Sequence, residues 1–118
     1  MKTLSVQFQP DMQPGIDFEV KASDLKELLR AALFVDQIDI DSGFKDSRYI
    51  NVNIYTSDVP SAWNLVQSHL GLRPESRSPI SHAVIVVCEG EKGWSDYLML
   101  HHFDASEKTE NIDSKKED

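Results

Sequence analysis

The sequence predicts an α+β fold, a ferredoxin-like βαββαβ sandwich carrying an additional C-terminal hairpin strand, with two helices on one face of a mostly antiparallel sheet. Three observations predict it. Apolar and polar residues alternate with a period of two in several short stretches, the mark of half-buried strands. Two other stretches repeat their apolar residues at helical spacing. The order of these stretches is strand, helix, strand, strand, helix, strand, with one more strand at the end.

In Thr3–Gln9, Leu4, Val6 and Phe8 share one face and Thr3, Ser5, Gln7 and Gln9 the other. Pro10–Gly15 reads as a turn, and Ile16–Val20 as a short returning strand. Ser23 or Asp24 then offers an N-cap, and Asp24 with Glu27 has the spacing of a capping box. Leu25, Leu28, Leu29, Ala32 and Leu33 follow as one apolar stripe of an amphipathic helix. Val35–Asp41 alternates again, Ser42–Asp46 reads as a turn, and Arg48–Thr56 sets Ile50, Val52 and Ile54 against Tyr49, Asn51, Asn53 and Tyr55, completing a hairpin. Ser57 or Asp58 caps a second helix. Pro60 is acceptable in its first turn, and Ala62, Trp63, Val66 and Leu70 form its buried stripe. Gly71 suits the left-handed position that ends many helices, with Leu72 placed for the accompanying apolar contact. Arg73–Ser81 is a loop, and Ser81–Asp104 a hairpin bracketed by Gly90 and Gly93. Residues 1–104 thus form a single domain. Residues 105–118 show no period and are expected to be an acidic, disordered tail.

The chain has 118 residues, a hydrophobic content of 40% and a charged content of 27%, so one core can form without disulfides or metal staples. Its formal net charge is −8. The tail does not account for this alone, because residues 1–103 hold fourteen acids against nine bases. That field argues against nucleic acid and anionic membrane as partners and favours a basic protein. The opening MKTLSVQFQPDMQPG has no apolar run of signal-peptide length, no stretch approaches bilayer-spanning length, and Cys88 is the only cysteine. The expected compartment is cytoplasmic.

The residues that invite chemistry are few. Cys88 precedes Glu89 rather than a cation, so an inert buried thiol is expected. His101 and His102 are neighbours on a strand and point to opposite faces. If Cys88 stood opposite Asp96, His82 would stand opposite His102, a pair able to couple across the strands. No spacing completes a metal site, no phosphate loop or nucleophile motif is present, and no cofactor is implied. Trp94, in a polar loop, suits a contact anchor or, as expected here, a lid over the sheet edge.

The surface most suited to binding is the uncovered sheet face bearing Asp39, Asp41, Tyr49, Asn51, Asn53 and Tyr55, with Trp94 as a further contact. Tyr and Asn give amphipathic area and adaptable hydrogen bonds, and the acids favour a cationic partner. The same residue types also serve as plain solvated filler. The functional expectation is a non-enzymatic protein-binding module, immunity- or antitoxin-like or regulatory, facing a basic protein or closing a homodimer. The alternative is a small-ligand-binding domain or enzyme with a pocket near the Trp94 loop and His82/His102.

Overall fold

The first strand of the chain is the middle of the sheet. In the computed structural model, which describes residues 1–110, β1 (Lys2–Phe8) pairs antiparallel with β3 (Ser47–Thr56) on one side and β4 (Val84–Gly90) on the other. The outer strands are β2 (Val35–Lys45), beside β3, and β5 (Gly93–His101), beside β4. The result is one open, antiparallel five-stranded sheet of order β2-β3-β1-β4-β5, crossed by α1 (Phe18–Arg30) and α2 (Val59–Leu70). The radius of gyration, 13.5 Å, is what one compact body of this length gives, about 13 Å.

Strand alternation puts Leu4, Val6 and Phe8 of β1, Ile50, Val52 and Ile54 of β3, and Val84, Val86 and Cys88 of β4 on one face. Both helices press their apolar stripes into that face and form one continuous core with it. Leu25 and Leu29 of α1 are fully buried, each contributing about 1.5–3 kcal/mol.

The first helix begins earlier than the capping-box spacing predicts. Asp17 Oδ1 accepts from the Val20 amide at 3.2 Å, so Asp17 is the N-cap, and the expected strand at Ile16–Val20 is replaced by the helix's first turn. Phe18 is the reason: its ring packs on Phe8 with centroids 5.6 Å apart. The buried stripe becomes Phe18, Ala22, Leu25 and Leu29, which rotates Leu28 to partial exposure and leaves Leu33 fully exposed.

The second helix follows its sequence signals. Asp58 accepts from the Ser61 amide at 3.2 Å and the Ser61 hydroxyl at 2.8 Å, and Gly71 ends the helix at φ 67°. Between β2 and β3, the chain turns at Asp46 alone, whose φ is 65°. Ser42–Lys45, expected as a turn, continues β2. Gly43 is tolerated inside that strand because the Tyr49 ring covers it: a Cβ on Gly43 would come within 2.5 Å of the Tyr49 hydroxyl.

Candidate functional site

The face of the sheet turned away from the helices is built from the odd-numbered residues of β1, β2 and β3. Register sets Asp39 opposite Asn53, Asp41 opposite Asn51, Gln37 opposite Tyr55 and Gly43 opposite Tyr49. From β1, Ser5 faces Asn53, Gln7 faces Asn51 and Thr3 faces Tyr55. The side chains join into one polar ladder across three strands. Gln9 Nε2 donates to Gln7 Oε1 (2.7 Å), Gln7 Nε2 to Asn51 Oδ1 (3.1 Å), and Asn51 Nδ2 to Asp41 Oδ1 (3.0 Å). Asn53 Nδ2 bridges the two acids, donating to Asp39 Oδ1 at 2.9 Å and Asp41 Oδ2 at 2.8 Å, while Ser5 Oγ donates to Asn53 Oδ1 at 2.8 Å.

Two carboxylates on adjacent outward positions of one strand would repel. The Asn53 amide between them offsets that repulsion, and each oxygen keeps further acceptor capacity toward solvent or a partner. The Tyr55 phenol is raised above its ordinary pKa, by burial first and then by its hydrogen bond to Asp39 and the negative charges of Asp39, Asp41 and Glu89. Asp39, Asp41, Tyr49, Asn51, Asn53 and Tyr55 therefore stand together. Trp94 does not join them, because β5 lies at the opposite edge of the sheet. Nor does it fold over as a lid, since it remains 47% exposed.

The histidines are arranged by irregularities in the last hairpin. Cys88 pairs with Leu98, not Asp96, and Val86 pairs with His101. Four residues, Trp94–Tyr97, bulge opposite Glu89, and a second bulge places both Leu100 and His101 toward the interior, where both are buried. His82 falls in a short 3-10 turn, Pro79–Ala83, and is exposed, so no cross-strand His82–His102 pair forms through the sheet. His101 Nε2 donates to the Ser81 carbonyl at 2.9 Å, and burial holds this imidazole below its ordinary pKa. Cys88 is buried and its thiol is pushed up to about 11, chiefly by that burial.

His101 and His102 line a cavity of about 260 Å³ between α2 and the end of β5. Its apolar wall includes Trp63, not Trp94, and it holds the side chain of Gln67. Gln67 is 9% exposed, and its Nε2 makes no hydrogen bond among the described residues. The sequence carried a signal for it: Gln67 follows Trp63 by four on an otherwise apolar stripe, where a polar residue needs a reason.

Comparisons of the chain with protein-family models, curated proteins and solved structures return no match.

The first residues beyond the predicted domain boundary are part of this site. Glu110 donates its amide to the Met99 carbonyl (2.7 Å) and accepts from the Met99 amide through Oε2 (2.9 Å), capping the outer edge of β5. Of the tail expected from residue 105, Glu110 meets the sheet edge at Met99 while residues 105–110 stay exposed, and residues 111–118 lie outside the described residues. Among the described residues, no three His, Cys, Asp or Glu side chains converge to hold a metal ion, and no helix is long and apolar enough to cross a membrane.

Proposed function

We propose that the chain is a protein-binding module that presents the β1–β2–β3 polar face to a basic protein. The observation that carries this reading is the fixing of Asp39 and Asp41 by Asn51 and Asn53 on a sheet face that no helix of the described residues covers. Carboxylates already held in place lose little side-chain entropy on meeting a cation, and negative charge concentrated on one face speeds encounter with a positive one. Tyr49 and Tyr55, half-buried at the margins, supply amphipathic contact area. The strand order supports a ferredoxin-like assignment: β4-β1-β3-β2 is the order that two interleaved split βαβ units produce, with β5 added at one edge. An immunity- or antitoxin-like role in the cytoplasm fits this picture, and a neighbouring gene for a basic toxin would supply the partner.

Charge reversal tests the proposal. The Asp39→Lys/Asp41→Lys double variant abolishes capture of the basic partner by the immobilised protein, and rising salt weakens capture by the unaltered chain. Capture that survives both the reversal and high salt overturns the reading. Light scattering on the free protein distinguishes the same face used in a homodimer, in which case the reversal changes the mass instead.

A further inference from the structure

We propose that the cavity between α2 and the end of β5 binds a small zwitterion of amino-acid size, its carboxylate held by the Gln67 amide and Arg77 and its ammonium by Asp104, Glu107 and Glu110. This site is separate from the polar sheet face and does not depend on it. The starting point is Gln67, nine-tenths buried, whose Nε2 has no hydrogen-bond partner among the described residues. A buried donor without an acceptor is destabilising, and an apolar residue in its place on the α2 stripe would avoid that cost. With under 1 Å² of that atom exposed, the amide reaches a ligand oxygen only by turning its Nε2 into the cavity that the residue lines, and the hydrogen bond then made removes the cost.

The remaining lining divides by charge according to chain segment. Arg77 comes from the loop after α2, and among the described residues it makes no ion pair. That loop is held in place: the Ser78 amide donates to the Gly71 carbonyl at 2.9 Å, and the Ser81 hydroxyl to the Ser78 carbonyl at 2.7 Å. The acids come from the segment after β5, which is also fixed. Asp104 accepts from the Ser106 amide (2.9 Å) and hydroxyl (2.8 Å), and Glu110 is tied to Met99.

The histidines contribute direction. His102 Nδ1 accepts from the Asp104 amide at 2.9 Å, which leaves Nε2–H as a donor, and the neutral His101 that donates through Nε2 keeps an unprotonated Nδ1. Trp63 and Leu100 offer apolar surface to a side chain. A volume of 260 Å³ lies just below the range that takes drug-sized molecules, about 300–1,000 Å³, and so suits a small metabolite. Donors from one segment and carboxylates from another select for a molecule carrying both charges.

The test is a nitrogen-15 NMR titration of the full chain with each proteinogenic amino acid at millimolar concentration, alongside acetate and ethylammonium as the two half-ligands. The signals followed are the Gln67 side-chain amide and the Trp63 indole, with the Trp94 indole as the internal reference. At least one amino acid moves the first two signals to saturation and leaves the third in place. Acetate and ethylammonium each bind at least about tenfold more weakly, and Arg77→Ala weakens binding about tenfold. Gln67→Leu, which fills the same space without the unpaired amide, folds at least as stably and loses binding, read on the Trp63 indole. The proposal is overturned if no amino acid moves the signals, if either half-ligand binds as well as the best amino acid, or if Gln67→Leu binds undiminished.

Discussion

Thr56 has no exposed surface, and its hydroxyl carries two hydrogen bonds: it donates to the Phe34 carbonyl at 2.5 Å and accepts from the Asp58 amide at 3.0 Å. Thr56→Val keeps the shape but strands both partners, so urea unfolding should show a loss of about 1–3 kcal/mol. Gly90 is a second single-residue dependence. A Cβ there would fall 1.7 Å from the Asp96 carbonyl oxygen, and backbone cannot yield as a side-chain end can. Gly90→Ala should cost about 1–3 kcal/mol, while Gly15→Ala, with nothing within 4 Å, should be neutral or slightly stabilising. His101 gives stability a pH dependence of known sign. Burial lowers its native pKa, with the charges of Arg77, His102 and His82 acting in the same direction against the raising effect of the Ser81 bond. The unfolded chain, with a pKa near 6.5, therefore takes up the proton first. Stability from this group is whole above that value and is lost as the pH falls through the window beneath it. The melting temperature of the unaltered chain should drop more steeply between neutral pH and about pH 5 than that of His101→Gln, whose overall stability is lower.

At the scale of elements, the two candidate N-caps of α1 separate cleanly by mutation. Asp17→Ala should destabilise by about 1 kcal/mol, and Asp24→Ala, at an exposed position inside the helix, should leave the unfolding midpoint within error. This is also where the sequence is least legible. Asp24 and Glu27 satisfy a local spacing rule as well as Asp17 does, and only the meeting of Phe18 with Phe8 decides between them. The β2–β3 hairpin was legible because Ile38, Ile40, Ile50, Val52 and Ile54 repeat with period two. Its turn was not, because Gly43 signals a bend that the Tyr49 ring overrides. In the last hairpin, parity separates His101 from His102 in an undistorted strand. The bulge at Leu100–His101 leaves no mark in composition, so the register could not be counted from the turn. The polar face was recoverable because alternation alone places its residues. The cavity was not, because its walls come from α2, a loop, β5 and the chain beyond it.

For the molecule as a whole, the sheet order predicts a gradient of stability. β1 is paired on both sides and covered by the helices, whereas β2 and β5 each have one strand neighbour among the described residues. Hydrogen exchange should be slowest at the amides of Leu4, Val6 and Val86 and fastest along the outer edge of β2, with β5 protected locally at Met99 by Glu110. Exchange at β1 no slower than at β2 would contradict this architecture. The acidic excess is also a whole-molecule property: residues 1–103 remain acidic without the tail, so the proposed preference for a basic partner does not rest on the chain's last segment.

The central place of β1 sets a constraint on how the chain is made. Leu4 and Cys88 are paired in the sheet, yet 84 residues separate them. At about 5–20 residues per second, a ribosome delivers β4 roughly 4–17 s after β1. Once β3 is complete at Thr56, β1 can pair with it but still presents its other edge, with Leu4, Val6 and Phe8 beside it, to whatever is near. A nascent chain of this protein is an open sheet awaiting its fourth strand, and any stall before Val84 leaves a template for another chain to complete.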